Sequence, residues 1–355
     1  MSEIVQGAAE KQFEETGSFG VLPPEEPSLL RYTFFGPEGL RPGWGLLLFV
    51  AIFAGMVQAG IYGAIRVHAL PHPSVHTAGS APKPERPQVM LVVEGLMAFS
   101  ALAATWVMGK VERRRMGSYG FAGLGFAGLF PKGFVWGLGF LALLVGALWK
   151  AGLLVFDGRL LFGGEAFKFA AIWLVGFVLV GMAEESILRG YVQVTLGRGL
   201  ASLYQMAFDE TPSERARAVG FWAAAVFLSF LFGAGHGSNP GESPIGLVSA
   251  GLIGLVFCLV LWRTGSLWWA IGFHAGWDWA QSFCFGVADS GTMVQFHWQG
   301  THPVGKVLWS GGATGPEGSA LVLGIIVLVV GVVWMLPKKD YVLPDGPAAR
   351  GAVTS

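Results

Sequence analysis

Eight stretches of this chain are long and apolar enough to be read as membrane-spanning helices: about 44–65, 88–109, 133–155, 167–187, 219–236, 246–262, 267–285 and 320–336. Crossing the hydrocarbon core takes about 20 mostly apolar residues. In lipid the backbone must satisfy its own hydrogen bonds, so such stretches are helical. The expected fold is therefore all-α, a polytopic membrane helical bundle of about eight transmembrane helices. Composition points the same way, since charged residues make up only 13% of the chain, against roughly 25% in a soluble domain. Its 14 Trp, 27 Phe and 54 Gly suit membrane helices and their interfaces. With 23 basic and 23 acidic side chains, a nucleic-acid partner held by overall charge is excluded. Cys258 and Cys284 both lie in apolar stretches and form neither a disulfide framework nor a CxxC metal site.

Three regions follow from this pattern. Residues 1–43 are polar and Pro-containing and are expected to form a flexible cytoplasmic arm, with Trp44 at the interface where the first helix begins. Residues 44–336 form the transmembrane bundle, and 337–355 a cytoplasmic tail. The orientation rests on Lys and Arg: fifteen fall in the segments on the side of the termini and five in the opposite loops, which places both termini inside. Two outer loops are long, 66–87 and 286–318. In the first, His68, His72 and His76 stand at four-residue steps. The surrounding prolines forbid the helix that would align them, so they read as solvated histidines. The second is Gly-rich, carries His297, Trp298 and His302, and is expected to lie on the membrane surface.

Ionisable side chains inside a membrane are costly and face a cavity or a partner. Here they concentrate in spans four to seven, the exception being Glu94 in the second span. The fourth span ends in Glu184, Glu185 and Arg189, the fifth in Phe232 and His236, and the seventh holds His274 and Asp278. Glu185 and Arg189 are four residues apart with the acid first, the favourable order for a helical ion pair. That pairing leaves Glu184, about 100° further round the helix, free to point elsewhere. Phe232 can pack beneath the His236 imidazole, and Asp278 can fix the tautomer of His274.

The result is one spare carboxylate, two histidines and a second carboxylate at membrane depth, a set suited to activating water. Glu184 suits a general base, and a histidine across the pocket can share its water. A second histidine can stabilise an oxyanion. Glu184, His236 and His274 could equally hold zinc with one position open for water. Each element alone has an ordinary structural reading: a solvated acidic pair, a helix ion pair, or an interhelical hydrogen bond. Taken together, in that order on three spans, they point to a functional site.

The ordered motifs Glu184-Glu185-Ser186-Ile187-Leu188-Arg189, Phe232-Gly233-Ala234-Gly235-His236 and His274-Ala275-Gly276-Trp277-Asp278 resemble the CPBP family of intramembrane proteases, the CAAX-protease and bacteriocin-processing (Abi) group. The resemblance covers roughly residues 90–336. It implies a helical core with a cavity open toward the membrane and one aqueous face. It also implies that Glu184 is the general base, helped by His236, that Glu185 and Arg189 orient the site, and that His274 and Asp278 stabilise the oxyanion. With Asp278, the chain differs from members that carry Asn at that position. An ionised carboxylate cannot donate a hydrogen bond, so Asp278 is either protonated or acts by orienting His274. The implied substrate is a membrane-associated peptide or lipidated protein, with membrane lipid around it and no nucleic acid. The setting expected is the bacterial cytoplasmic membrane.

A metal-free mechanism is favoured over zinc for two reasons. The three possible ligands come from three helices with no HExxH pair, and only His274 has a carboxylate four residues on to orient it. No GxSxG nucleophile elbow occurs either. The alternatives are a non-catalytic immunity or scaffold protein on the same fold, or a proton-coupled transporter. No internal repeat of the kind common in transporters is visible.

Overall fold

The computed structural model describes residues 29–36, 39–72, 83–121, 123–208 and 213–339. Residues 1–28 of the N-terminal arm, His76, and 340–355 of the tail lie outside it. The long helices are α1 (Pro42–Arg66), α2 (Pro87–Val111), α3 (Gly123–Lys150), α4 (Gly163–Glu185), α5 (Gln193–Phe208), α6 (Glu214–Gly235), α7 (Pro244–Thr264), α8 (Trp268–Asp278) and α9 (Leu321–Met335). Proline opens α1, α2 and α7, where its missing N–H would have had no helical partner anyway. Ser213 and Ser243 cap α6 and α7 by accepting from the backbone N–H groups of Ala216 and Gly246.

Among the described residues, six helical stretches are long and apolar enough to cross a membrane: 42–66, 87–111, 125–150, 163–208, 214–238 and 244–264. The protein is an integral, multi-pass membrane protein with an all-helical core. The last two expected spans take shorter forms. Helix α8 has 11 residues and runs into a π turn at Trp279–Cys284, and α9 has 15. The expected span 167–187 is part of one helical run of 46 residues, in which a π turn at Ser186–Val192 joins α4 to α5. Helix α5 falls in a stretch read as a connection because it carries Gln193, Thr195 and Arg198, all buried. A search for mean apolarity passes over a helix whose buried face is polar.

Helix α8 is held against α3 by direct backbone contact. A Cβ on Gly133 or Gly137 would collide with the carbonyl oxygens of Trp269 or Phe273, and one on Gly272 or Gly276 with those of Phe130 or Phe134. Each pair is spaced four residues apart, the GxxxG pattern that lets membrane helices touch. Gly181 on α4 faces the Ile271 carbonyl and the His274 Cβ of α8 in the same way. Helices α3 and α4 thus fix the depth and rotation of the helix carrying His274 and Asp278.

Outside the bundle, strands β1 (Leu154–Arg159) and β2 (Gln299–Pro303) pair antiparallel, with a bulge between Phe156 and Gly158. Segment 286–318, expected as a loop, is thus in part regular structure held to the bundle. It is pinned by this sheet, by the Trp173 Nε1–H donating to the Gln295 carbonyl at 2.9 Å, and by Phe296 stacked on Phe169 at 4.3 Å. Residues 29–40, read as part of a flexible arm, contain a short helix at Leu29–Phe34 and a tight strand pair.

Close approach makes α3 intolerant of side chains on one face only. Gly137→Ala is expected to lower the melting temperature of the detergent-solubilised protein, since overpacking typically costs about 1–3 kcal/mol. Gly139→Ala, on the same helix but with nothing within 4 Å of the added carbon, should be neutral or slightly stabilising. Equal effects in a thermal-unfolding assay would contradict the packing.

Candidate active site

The first motif sits where α4 passes into its π turn, a distortion that re-aims side chains and recurs at functional sites. Glu185 is fully buried, and its Oε1 accepts from Arg189 Nη1 at 3.0 Å. That oxygen also lies 3.1 Å from His274 Nδ1. One buried carboxylate thus joins its own helix to α8. Glu184 approaches the other ring nitrogen of the same His274. Its side chain is 35% exposed, with Oε2 3.7 Å from His274 Nε2 and no hydrogen-bond partner.

The second motif closes α6. His236 follows the last helical residue, and its Nδ1 is 2.7 Å from the Phe232 carbonyl. A carbonyl only accepts, so Nδ1 carries the proton in that bond and Nε2 is left as the free nitrogen. The Phe232 ring meets the imidazole edge-on at 4.7 Å and supports the Arg189 guanidinium at 4.2 Å. Phe257 on α7, which sequence reasoning did not single out, lies 5.9 Å from both Arg189 and the His274 ring.

On α8, Asp278 Oδ2 is 3.4 Å from His274 Nε2, and the Asp278 side chain is only 8% exposed. The same turn is tied to the 286–318 segment, because the Trp277 indole donates to Glu317 at 2.8 Å. Glu317 also accepts from the backbone and hydroxyl of Ser290. Asp289 accepts from Ser282. Burial holds the Asp289 carboxyl well above the usual carboxylate range, and the nearby Asp278 and Glu317 push it further the same way.

These groups line one cavity of about 340 Å³. Glu184, His236, His274 and Asp278 form part of its wall, with Phe177, Val180, Phe257 and Ile325 on the apolar side. A shallower groove on the outside of the bundle shares Glu184, Phe232, His236 and Asn239 with it, and adds Ile187, Leu188 and Leu231. Glu184 and His236 therefore stand at the threshold between groove and cavity.

All seven site residues named from the sequence thus fall in one neighbourhood. What the sequence did not reveal is that Glu185 also orients His274, or that Glu317, Asp289 and Glu85 reach the same cavity. A carboxylate in a loop carries no periodic signal that would have marked it. Among the described residues, no three His, Cys, Asp or Glu side chains are grouped as metal ligands. One reason given against zinc is nonetheless corrected for His236, because the Phe232 carbonyl orients that ring as a carboxylate would.

Residues 166–280 match the family of type II CAAX prenyl endopeptidase Rce1-like proteins. The CPBP resemblance is borne out over this segment, which contains all three motifs. It is narrower than the 90–336 expected and leaves Glu94 and Glu317 outside. No curated protein and no solved structure matches the chain.

The buried Glu185–Arg189 pair at the base of the site should behave as a stability couple. Removing one partner strands a buried charge, which typically costs about 3–5 kcal/mol. Glu185→Leu and Arg189→Leu should each lower detergent stability, and the double variant should recover part of the loss. Because Glu185 also holds His274, function should stay lost in the double variant. Additive stability losses in a thermal-unfolding cycle would dispose of the pairing.

Proposed function

We propose that the protein is an intramembrane endopeptidase that hydrolyses a peptide bond of a membrane-associated substrate with a glutamate-activated water. The observation that carries this reading is the convergence of Glu184, His236, His274 and Asp278 from three helices on one cavity. Water between Glu184 and the free Nε2 of His236 loses a proton to the carboxylate as its oxygen attacks the carbonyl carbon. With Glu185 accepting from Nδ1, a doubly protonated His274 presents an Nε2–H toward the developing oxyanion. Asp278, 3.4 Å from that nitrogen, holds the Nε2–H before substrate arrives and yields it to the oxyanion rather than donating itself. As the intermediate collapses, the proton taken by Glu184 passes to the leaving amine.

The groove gives a bilayer-embedded substrate a route to Glu184 without crossing the outer segment. The family match supports a CAAX-type peptidase acting on peptide or lipidated protein, in which Glu185, Arg189 and Phe232 position the catalytic groups. Charge distribution supports cytoplasmic termini. The cavity would then open toward the opposite face, where 85, 239, 290 and 317 line it. Ser238 is exposed beside that opening. The thiol of a Ser238→Cys variant should accordingly be labelled by a membrane-impermeant maleimide added outside intact cells. Labelling only after lysis would reverse the orientation.

Glu184→Gln should fold and insert normally while losing about 10²–10⁴ in turnover. Near wild-type turnover in that variant would remove Glu184 from the mechanism, and unchanged biological function would favour the scaffold reading. Elemental analysis with exhaustive chelation tests the metal alternative. Stoichiometric zinc, with activity lost to chelator and restored only by metal, would overturn the glutamic mechanism and make Glu184, His236 and His274 ligands.

A further inference from the structure

Glu94 lies on α2, apart from the three motifs and outside the matched segment. It is partly buried, lines the same cavity as Glu184 and Asp278, and forms no hydrogen bond or ion pair with the described residues. A carboxylate in a membrane helix needs a partner or a water-filled cavity to offset its desolvation. Among the described residues this side chain has no partner, and what it faces is the substrate space.

The rest of the polar wall sharpens the point. Glu85, Glu94, Glu184, Asp278, Asp289 and Glu317 all line the cavity, and no described Lys or Arg does. Asp278 is more than nine-tenths buried and meets His274 at ion-pair distance. Arg189 sits behind the wall, occupied by Glu185 and by the Phe232 ring. The rest of the lining includes the apolar surfaces of Phe177, Val180, Ile325 and Ile326. With the Asp289 carboxyl held well above the usual range and Asp278 already facing His274, the unpartnered Glu94 is a carboxylate of this space open to an incoming cation, which favours an apolar chain that carries a positive charge.

We propose that Glu94 is a specificity residue, the counter-ion for a Lys or Arg side chain that an apolar membrane peptide brings into the cavity beside the bond to be cut. The proposal deepens the peptidase reading and rests on it for the cutting. The charge recognition is a binding property that can be measured separately.

The test uses two apolar peptides in nanodiscs, identical except for a central Lys in one and the neutral isostere norleucine in the other. Binding to the full-length protein and cleavage by it are followed in parallel. The wild type should bind the Lys peptide about tenfold tighter, the scale of one hydrogen bond to a charged group. Glu94→Gln should reduce that preference to less than about twofold, mainly by weakening the Lys peptide, while Glu94→Asp should keep most of it. Equal binding of both peptides by the wild type would overturn the proposal. So would a preference that survives intact in a folded Glu94→Gln protein. If the preference behaves as expected but neither peptide is cut any faster by wild type than by Glu184→Gln, the cation site stands and the peptidase reading fails. If both are cut equally well with no preference, the reverse holds.

Discussion

The buried carboxylate of Glu185 is the contact on which the site's geometry depends. In a medium of low dielectric an isolated charge is prohibitive, and here Arg189 and His274 surround the Glu185 carboxylate. Its two contacts, at 3.0 and 3.1 Å, tie the π turn after α4 to the middle of α8. Everything else in the site is placed relative to that tie. Glu184 is the preceding residue and turns outward because helical geometry carries it round, and Arg189 supports the Phe232 ring against which His236 packs. An apolar pair in the same place could match the stability, but it would have no nitrogen or oxygen with which to set the orientation of His274.

Close helix contact makes that tie possible. Four glycines let α3 and α8 meet backbone to backbone, and Gly181 brings α4 to the same surface. Without these small residues the helices would stand further apart, and a side chain as short as glutamate would not reach across. The two π turns, at 186–192 and 279–284, each follow directly on a motif or fall within its end. Both open the helix where functional side chains leave it, which links a local irregularity of the backbone to the placement of the chemistry.

Much of the site was legible in the sequence because membrane helices make polar residues conspicuous. Glu185 and Arg189, Phe232 and His236, and His274 and Asp278 each lie four residues apart, and each pair meets in the structure as that spacing requires. The glycine pairs 133/137 and 272/276 also stand in the sequence, but nothing there names their partners. Other features stayed hidden for physical reasons. Helix α5 buries polar side chains and so lacks an apolar signature. The strands near 154 and 299 are short, and they pair across a long stretch of chain. Glu317 and Asp289 come from an irregular segment with no period to read.

The sequence by itself determined the class of fold, the order of the motifs along the chain and which residues share a helical face, because these follow from local periodicity and from the cost of charge in lipid. Only the tertiary structure decided which faces meet. It turned the pair Glu185–Arg189 into a three-way contact with His274, gave His236 its tautomer through the Phe232 carbonyl, and gathered carboxylates from distant segments around one cavity. Contacts between helices depend on crossing angle, depth and rotation together, and no spacing along a single helix encodes those three quantities.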